Sequence, residues 1–527
     1  MWTKALSNEI GRLTHGNIHN VTFQDCMQFI FHHQLPPNKI PTYANFVMDH
    51  RPLKSEPWRV RLVVGGDRVT YLGDAGAPTS SLLESKILIN SVISDCDKGA
   101  RFMSCDLKDF FLCSKMEQPE YMRIHRKHIP DDIFQLYNLH EKIHNDHVYC
   151  QIDKGMYGLP QAATLAYEQL CEHLELAGYY PIPSSSGMFK HKTRKTVFCL
   201  CVDDFGIKYY SKSDALHLLN HLGKKYTYST DWNGSNFCGL HFEWNYENKY
   251  VDVSLPKYVK EALIRLQHQS PSNPQYSPQH HNPINYSSKG KQQSATQLDF
   301  SPLLSLKETR WVQSVVGTFL YYCRAIDCTI STALNDIALS QANPTVNTKQ
   351  KCIRLMDYLS TYPDACIRFH ASEMVLFADS DAAYLVLPKA KSRVAGFFHL
   401  SNKTTSNLPA FRNGPLLVEC HTLKHVVTSA AEAETSALYH NAKTTIPIRR
   451  ILIELGHPQP PTPIKVDNST AAGFVNNKIT QKKSKAWDMR FHWLQDRETY
   501  KEMKVYWHEG KYNDADYFTK THTTPHH

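Results

Sequence analysis

No apolar segment in this sequence approaches the roughly 18 residues that a membrane-spanning helix needs. Paired Cys-x2-Cys or Cys/His spacings suited to zinc are also missing. His421 and His425 stand at helical i, i+4 spacing, but no acidic neighbour completes a zinc-protease motif. There is no internal repeat, and the opening MWTKALSNEIGRL has neither a signal-peptide nor a transit-peptide layout. These absences argue against membrane, zinc-ribbon, solenoid and secreted disulfide classes. The fourteen cysteines are therefore expected as reduced thiols of a cytosolic or nuclear protein. Cys199, Cys201, Cys323 and Cys352 lie inside apolar runs, where thiols act as small hydrophobes.

What is present is a globular composition, 42% hydrophobic and 21% charged, in a chain long enough for more than one core. The net charge of +9 mildly favours acidic partners such as nucleic acid. Residues 267–302 are rich in Pro, Ser, Gln and Asn and mark a polar linker. Before it lies a mixed α/β region. After it, 310–362 repeats apolar residues at helical spacing, and from 373 strand-like runs return between helical patterns.

The stretch VFCLCVDDFGIKY, residues 197–209, reads as a hairpin with Asp203 and Asp204 at or beside the turn. Aspartate is also simply a good turn residue. Against that reading, an ionised carboxylate between buried strands costs several kcal/mol unless compensated, and divalent cations compensate efficiently. A third acid is available in RFMSCDLKDFFL, where an apolar strand leads into Asp106. Between the two come a loop punctuated by Gly155, Gly158 and Pro160 and a helix with an apolar face from Ala162 to Ala177, stopped by Gly178. Three carboxylates converging on one sheet suit two-metal phosphoryl transfer.

Asp106, the Tyr157-Gly158-Leu159-Pro160-Gln161-Ala162 loop and Cys201-Val202-Asp203-Asp204 together resemble the palm of Ty1/copia-type LTR retrotransposon reverse transcriptases. That family has a metal-binding Asp, a YGLxQA loop and an x-V-D-D hairpin in this order. The resemblance implies that Asp106, Asp203 and Asp204 bind metal. It further implies that Gln161 contacts the incoming nucleotide and that Arg61 reaches its triphosphate, where a guanidinium suits phosphate oxygens. Phe111 matches the aromatic gate against a 2′-hydroxyl, whereas Phe110 reads as packing. Cys201 stands where many relatives have tyrosine. Cys238-Gly239-Leu240 is similar to the segment that supports the primer strand.

A second constellation follows. MVLFADSDAAY is a strand running into Asp379 and Asp381, PIKVDNSTAAGF one ending at Asp467, and KVYWHEGKYNDADYFTK supplies Asp514 and Asp516. In SAAEAETSALYHNA, at about 100° per residue, Glu432 and Glu434 fall on nearly opposite helix faces. Glu434 has Ala430, Ala431, Ala437 and Leu438 as helical neighbours and should face the sheet. Glu432 has Thr428, Ser429, Thr435 and Ser436 and should face water. The set resembles the ribonuclease H domain of copia-like elements, with its SDAD, SSxEAEYxAL, DNxSA and ADxFTK motifs. The likeness assigns Asp381, Glu434, Asp467 and Asp516 to a metal site, with Thr435 in place of the usual aromatic and Asp379 as an extra acid. The basic run Lys482, Lys483 and Lys485 reads as a solvated face or as backbone contact to an RNA/DNA hybrid.

The expected fold class is thus α/β and α+β multidomain: reverse-transcriptase fingers and palm over 1–265, a polar linker over 266–309, a helical thumb or connection over 310–370, and a ribonuclease H-like domain over 371–527. The resemblance implies an RNA-directed DNA polymerase with ribonuclease H activity. It would use two Mg²⁺ (or Mn²⁺) ions per site and act on an RNA template, a DNA primer, dNTPs and an RNA/DNA hybrid. A cytoplasmic, virus-like-particle location with a nuclear stage is expected, without membrane association. No protease Asp-Thr/Ser-Gly, nucleocapsid zinc knuckle or integrase His/Cys motif accompanies these regions. The alternative is a decayed or host-adopted copy that binds nucleic acid without catalysis.

Overall fold

The computed structural model describes residues 1–15, 23–51, 56–281, 299–404, 410–476 and 489–527. Much of the expected linker, 282–298, and the basic run Lys482, Lys483 and Lys485 lie outside the described residues. The chain is a mixed α/β protein of two compact units. The first comprises Met1–Ser80, Ser104–Pro181 and Ser186–Thr230, and the second Ser81–Met103, Ile182–Ser185 and Asp231–His527.

In the first unit one sheet orders its strands Met27–Ile30, His147–Lys154, Lys115–His125, Thr42–His50 and Trp58–Val64. Alternating Leu62, Met122, Ile124, Val148, Cys150 and Ile152 pack with Ile10 and Leu13 of the helix Trp2–Leu13. That helix also buries Glu9, whose carboxylate accepts the Leu62 backbone N–H at 3.2 Å. A second sheet sets Arg101–Leu107 beside Asp204–Tyr209, which pairs antiparallel with Val197–Cys201. The helix Ala162–Leu176 turns Ala162, Ala166, Leu170 and Leu174 inward at helical spacing, and Gly178 (φ +84°) ends it.

One loop couples these elements. The Val64 N–H donates to the Tyr157 carbonyl at 2.8 Å, and Gly158 has φ +95°. A Cβ on Gly158 would come within 2.1 Å of the Val64 carbonyl oxygen, so both backbone angle and close approach require glycine.

The second unit holds a five-stranded sheet in the order Pro415–Thr422, Lys391–Ser401, Val375–Leu387, Thr462–Val466 and Met503–Trp507. The first three pair antiparallel, and the last two join parallel. Parallel joins need crossovers. The helix Ala430–Glu454 supplies one, and Ser469–Val475 with Met489–Thr499 the next. Asn441 of the long helix donates to Ser380 Oγ and to the Ala395 carbonyl, both at 2.8 Å, which pins the helix across the sheet. Val375–Leu387 runs through Asp379 and Asp381 and does not end at them. Helices Leu306–Ala325, Ser331–Ala338 and Val346–Thr361 occupy the segment expected to be helical. The strand Cys366–His370 then pairs with Tyr250–Ser254 in a separate four-stranded sheet. Among the described residues no helix is long and apolar enough to cross a membrane.

These contrasts predict opposite outcomes for two glycines. Gly158→Ala should cost about 2 kcal/mol or more, from the left-handed backbone and the Val64 carbonyl together. Gly317→Ala, inside Leu306–Ala325 where a Cβ meets nothing within 4 Å, should stabilise by about 0.5–1 kcal/mol. Melting temperatures of the two variants check both signs.

Candidate functional site

The first carboxylate set is built on the hairpin of the first unit. Strands Val197–Cys201 and Asp204–Tyr209 leave Val202 and Asp203 as a two-residue turn. Val202 has φ +63°, a costly conformation for a β-branched residue, of order ~1–3 kcal/mol. The turn is held nonetheless, because the Leu107 N–H donates to the Asp203 carbonyl at 3.0 Å. That bond ties the turn to the strand carrying Asp106. Burial raises the Asp203 carboxyl, Asp106 raises it further, and Arg61 opposes both. Burial also raises Asp106.

Arg61, exposed on Trp58–Val64, lies over the Tyr157 ring at 5.1 Å. Phe111 meets the same ring edge-to-face at 5.8 Å. The YGLPQA loop therefore gathers Arg61 and Phe111, and Arg61 acts electrostatically on Asp203. Gln161 is buried at the start of Ala162–Leu176, its amide nitrogen 3.5 Å from Glu120 Oε1. Its carbonyl oxygen has no hydrogen-bond partner among the described residues. Phe110 is buried, as packing requires.

The second set is tighter. Among the described residues, Asp381, Asp467 and Asp516 form the one acidic triad whose oxygens lie within 4.8 Å of one another. Asp381 sits mid-strand. Asp467 immediately follows Thr462–Val466, and Asp516 opens the short helical turn Asp516–Thr519. Trp507 Nε1 donates to the Asp467 carbonyl at 2.9 Å. Gly510 leaves room for the Asp467 carboxylate, which a Cβ there would meet at 3.0 Å.

Glu434 approaches the triad from the long helix. It is 7% exposed, accepts the Ala382 backbone N–H, and has one oxygen buried without a hydrogen-bond partner. Burial, then Asp381 and Asp467, hold its carboxyl well above the usual range. Glu432 has a different job. Its carboxylate accepts the Thr428 N–H and hydroxyl, both at 2.7 Å, while Ser429 caps the helix by accepting the Glu432 N–H.

The extra acids are accounted for by ion pairs. Asp379 binds Lys465 Nζ at 2.8 Å, directly across the parallel strand pair, and accepts the Asp514 N–H at 2.9 Å. Asp514 itself pairs with Arg412. Asp381 accepts the Thr519 hydroxyl, and Asp516 pairs with Lys520. Sequence reasoning missed Lys465, Thr519 and Lys520. The i, i+4 spacing of Asp516 and Lys520 was the available signal.

Hard carboxylate oxygens are the ligands that Mg²⁺ and Mn²⁺ take. Three acids within reach of one point and an unpartnered oxygen on Glu434 fit such an ion. Without a cation the like charges repel, and burial pushes Asp381 up to about 7.

No family model matches the sequence. Over 424 residues, 79% of the chain, it is 23% identical to the Retrovirus-related Pol polyprotein from transposon TNT 1-94 of Nicotiana tabacum. The match covers 29% of that polyprotein, so the chain is similar to part of a retrotransposon Pol protein and spans under a third of its length. Among solved structures, LC11-RNase H1 in complex with RNA/DNA hybrid aligns with 27% of this chain and 92% of its own. The identity there is 8% and the TM-score 0.20. The N-terminal RNase H domain of rv2228c from Mycobacterium tuberculosis, a fusion with maltose binding protein, aligns with 28% and 91%. Its identity is 10% and its TM-score 0.20.

The raised Asp381 predicts a pH dependence. Its folded value of about 7 exceeds the unfolded value of ~3.9, so the folded chain holds an extra proton between the two. The resulting stability is full below about pH 4 and is lost as pH rises through about 7. In EDTA, the melting temperature of the second unit should fall across that window. Asp381→Asn should flatten the fall, and an unchanged slope in the variant would assign it to other groups.

Proposed function

We propose that this chain is the polymerase and ribonuclease H portion of a Ty1/copia-type retrotransposon Pol protein, copying RNA into DNA and cleaving the RNA of the resulting hybrid. The observation that carries this reading is the triad of Asp381, Asp467 and Asp516 with Glu434 beside it, in a chain similar to part of a retrotransposon Pol protein. Charges gathered at this expense are retained where a divalent cation is to be held. The hairpin acids Asp203 and Asp204, with Asp106 on the neighbouring strand, support the polymerase half.

In this reading Asp106, Asp203 and Asp204 hold Mg²⁺ or Mn²⁺ for DNA synthesis, and Asp381, Glu434, Asp467 and Asp516 hold it for RNA cleavage. When bound, the ions supply neutralisation of the attacking and leaving oxygens of phosphoryl transfer. The chain's own groups do the positioning. Arg61, held by Tyr157, binds the triphosphate of a dNTP. Phe111, fixed against the same ring, excludes a ribose 2′-hydroxyl. Gln161 contacts the nucleotide from the start of its helix. An RNA template, a DNA primer and an RNA/DNA hybrid are the macromolecular substrates, and the work is done in a cytoplasmic particle before any nuclear stage.

Two substitutions separate the halves. Asp203→Asn should abolish primer extension on an RNA template while hybrid cleavage continues. Glu434→Gln should do the reverse. Glu432→Gln should keep both activities and lower stability by less than ~1 kcal/mol, since only a cap is altered. One labelled hybrid scored for cleavage beside one extension assay decides among these outcomes. A wild-type chain that binds hybrid but performs neither reaction would sink the proposal.

A further inference from the structure

Asp381, Asp467 and Asp516 hold oxygens within 4.8 Å of one another with Glu434 beside them, and a nearby cation eases their mutual repulsion when no metal is bound. Asp379 and Asp514 stand outside this group with cations of their own, Lys465 and Arg412. For the group itself, among the described residues, the cation acting on Asp381, Glu434 and Asp467 alike is Lys520, whose ammonium is ion-paired with Asp516. Lys520 follows the turn Asp516–Thr519 directly, with an extended backbone (φ −120°, ψ 164°). Its side chain is 32% exposed, with the ammonium on the Asp516 carboxylate. A lysine is a flexible point charge with no fixed hydrogen-bonding fork, and the turn has its own bond from the Thr519 hydroxyl to the Asp516 carbonyl at 3.0 Å.

We propose that Lys520 is a built-in counter-cation of the Asp381, Glu434, Asp467 and Asp516 site. It stabilises the carboxylates in the metal-free protein and is displaced from Asp516 as a divalent cation loads. This rests on the metal-site reading of that cluster. Lys520 is then a positioning residue whose effect is opposite in the two states. It strengthens the empty fold, and it weakens metal affinity because its charge must be moved out first. The arrangement keeps a free site from flying apart and sets a threshold concentration of cation for loading.

The test uses the full chain without nucleic acid. Thermal melts are recorded in EDTA and at saturating Mg²⁺ for wild type, Lys520→Met and Lys520→Arg, and Mg²⁺ and Mn²⁺ binding is titrated by calorimetry. Lys520→Met should melt lower than wild type in EDTA, and the gap should close with metal. Its metal Kd should tighten by roughly tenfold, the scale of one removed charge a few ångströms away. Lys520→Arg should restore metal-free stability. Equal destabilisation with and without metal, or an unchanged or weaker Kd in Lys520→Met, would overturn the proposal and leave an ordinary ion pair. Wild-type titrations that Asp467→Asn does not alter would overturn the metal-site reading and this inference together.

Discussion

Like charges in a small volume govern the second unit. At an effective dielectric near 20, two unit charges about 4 Å apart repel by ~4 kcal/mol, comparable with a sizeable part of a domain's net stability. The fold answers this repulsion from several directions at once. A hydroxyl from Thr519, a backbone N–H from Ala382 and the ammonium of Lys520 all reach the acids. Where these groups do not offset burial, the carboxyl is raised until a proton does the same work, as at Glu434. The Asn441 clamp between helix and sheet matters here because it keeps Glu434 from relaxing outward into water.

The first unit solves a milder version of the problem. Its hairpin acids are partly solvated, and they carry no triad as tight as the other. What holds their geometry is backbone. The strained Val202 turn is bonded to the strand that carries Asp106, and the Gly158 loop is bonded to the strand that carries Arg61. Rigid main-chain links position side chains more closely than loops do. Strain at the tip is tolerable because two well-packed strands flank it.

Much of this was legible in the amino-acid order. The hairpin could be read because two apolar runs break only at the Asp pair, and the helix 162–176 because its apolar stripe keeps one face. Glu434 and Glu432 could be told apart by helical angle alone, since their neighbours differ in polarity, and the structure buries the first and leaves the second accessible. Other features needed three dimensions. An acid inside a strand looks like a strand end when its compensating groups are distant in sequence. Val375–Leu387 therefore passes through Asp379 and Asp381 unannounced, because Lys465 and Lys520 arrive from elsewhere. The pairing of Cys366–His370 with Tyr250–Ser254 spans the whole helical segment, and no local pattern encodes it. Pro447 argues for a helix end, yet Ala430–Glu454 continues through it, held by tertiary packing of its buried face.

The order in which the acids occur along the chain has a kinetic consequence. Asp381 comes from an antiparallel meander, Glu434 from a crossover helix, Asp467 from a parallel strand and Asp516 from a turn beyond the last strand. Parallel pairing must close long loops before any contact rewards it, and such steps are slow. The meander can form while the other three acids are still apart and hydrated. This topology therefore favours gathering the repulsive centre after the meander has formed. A chain that stalls earlier has a sheet but no gathered charge, and so nothing able to capture a cation in the wrong shape.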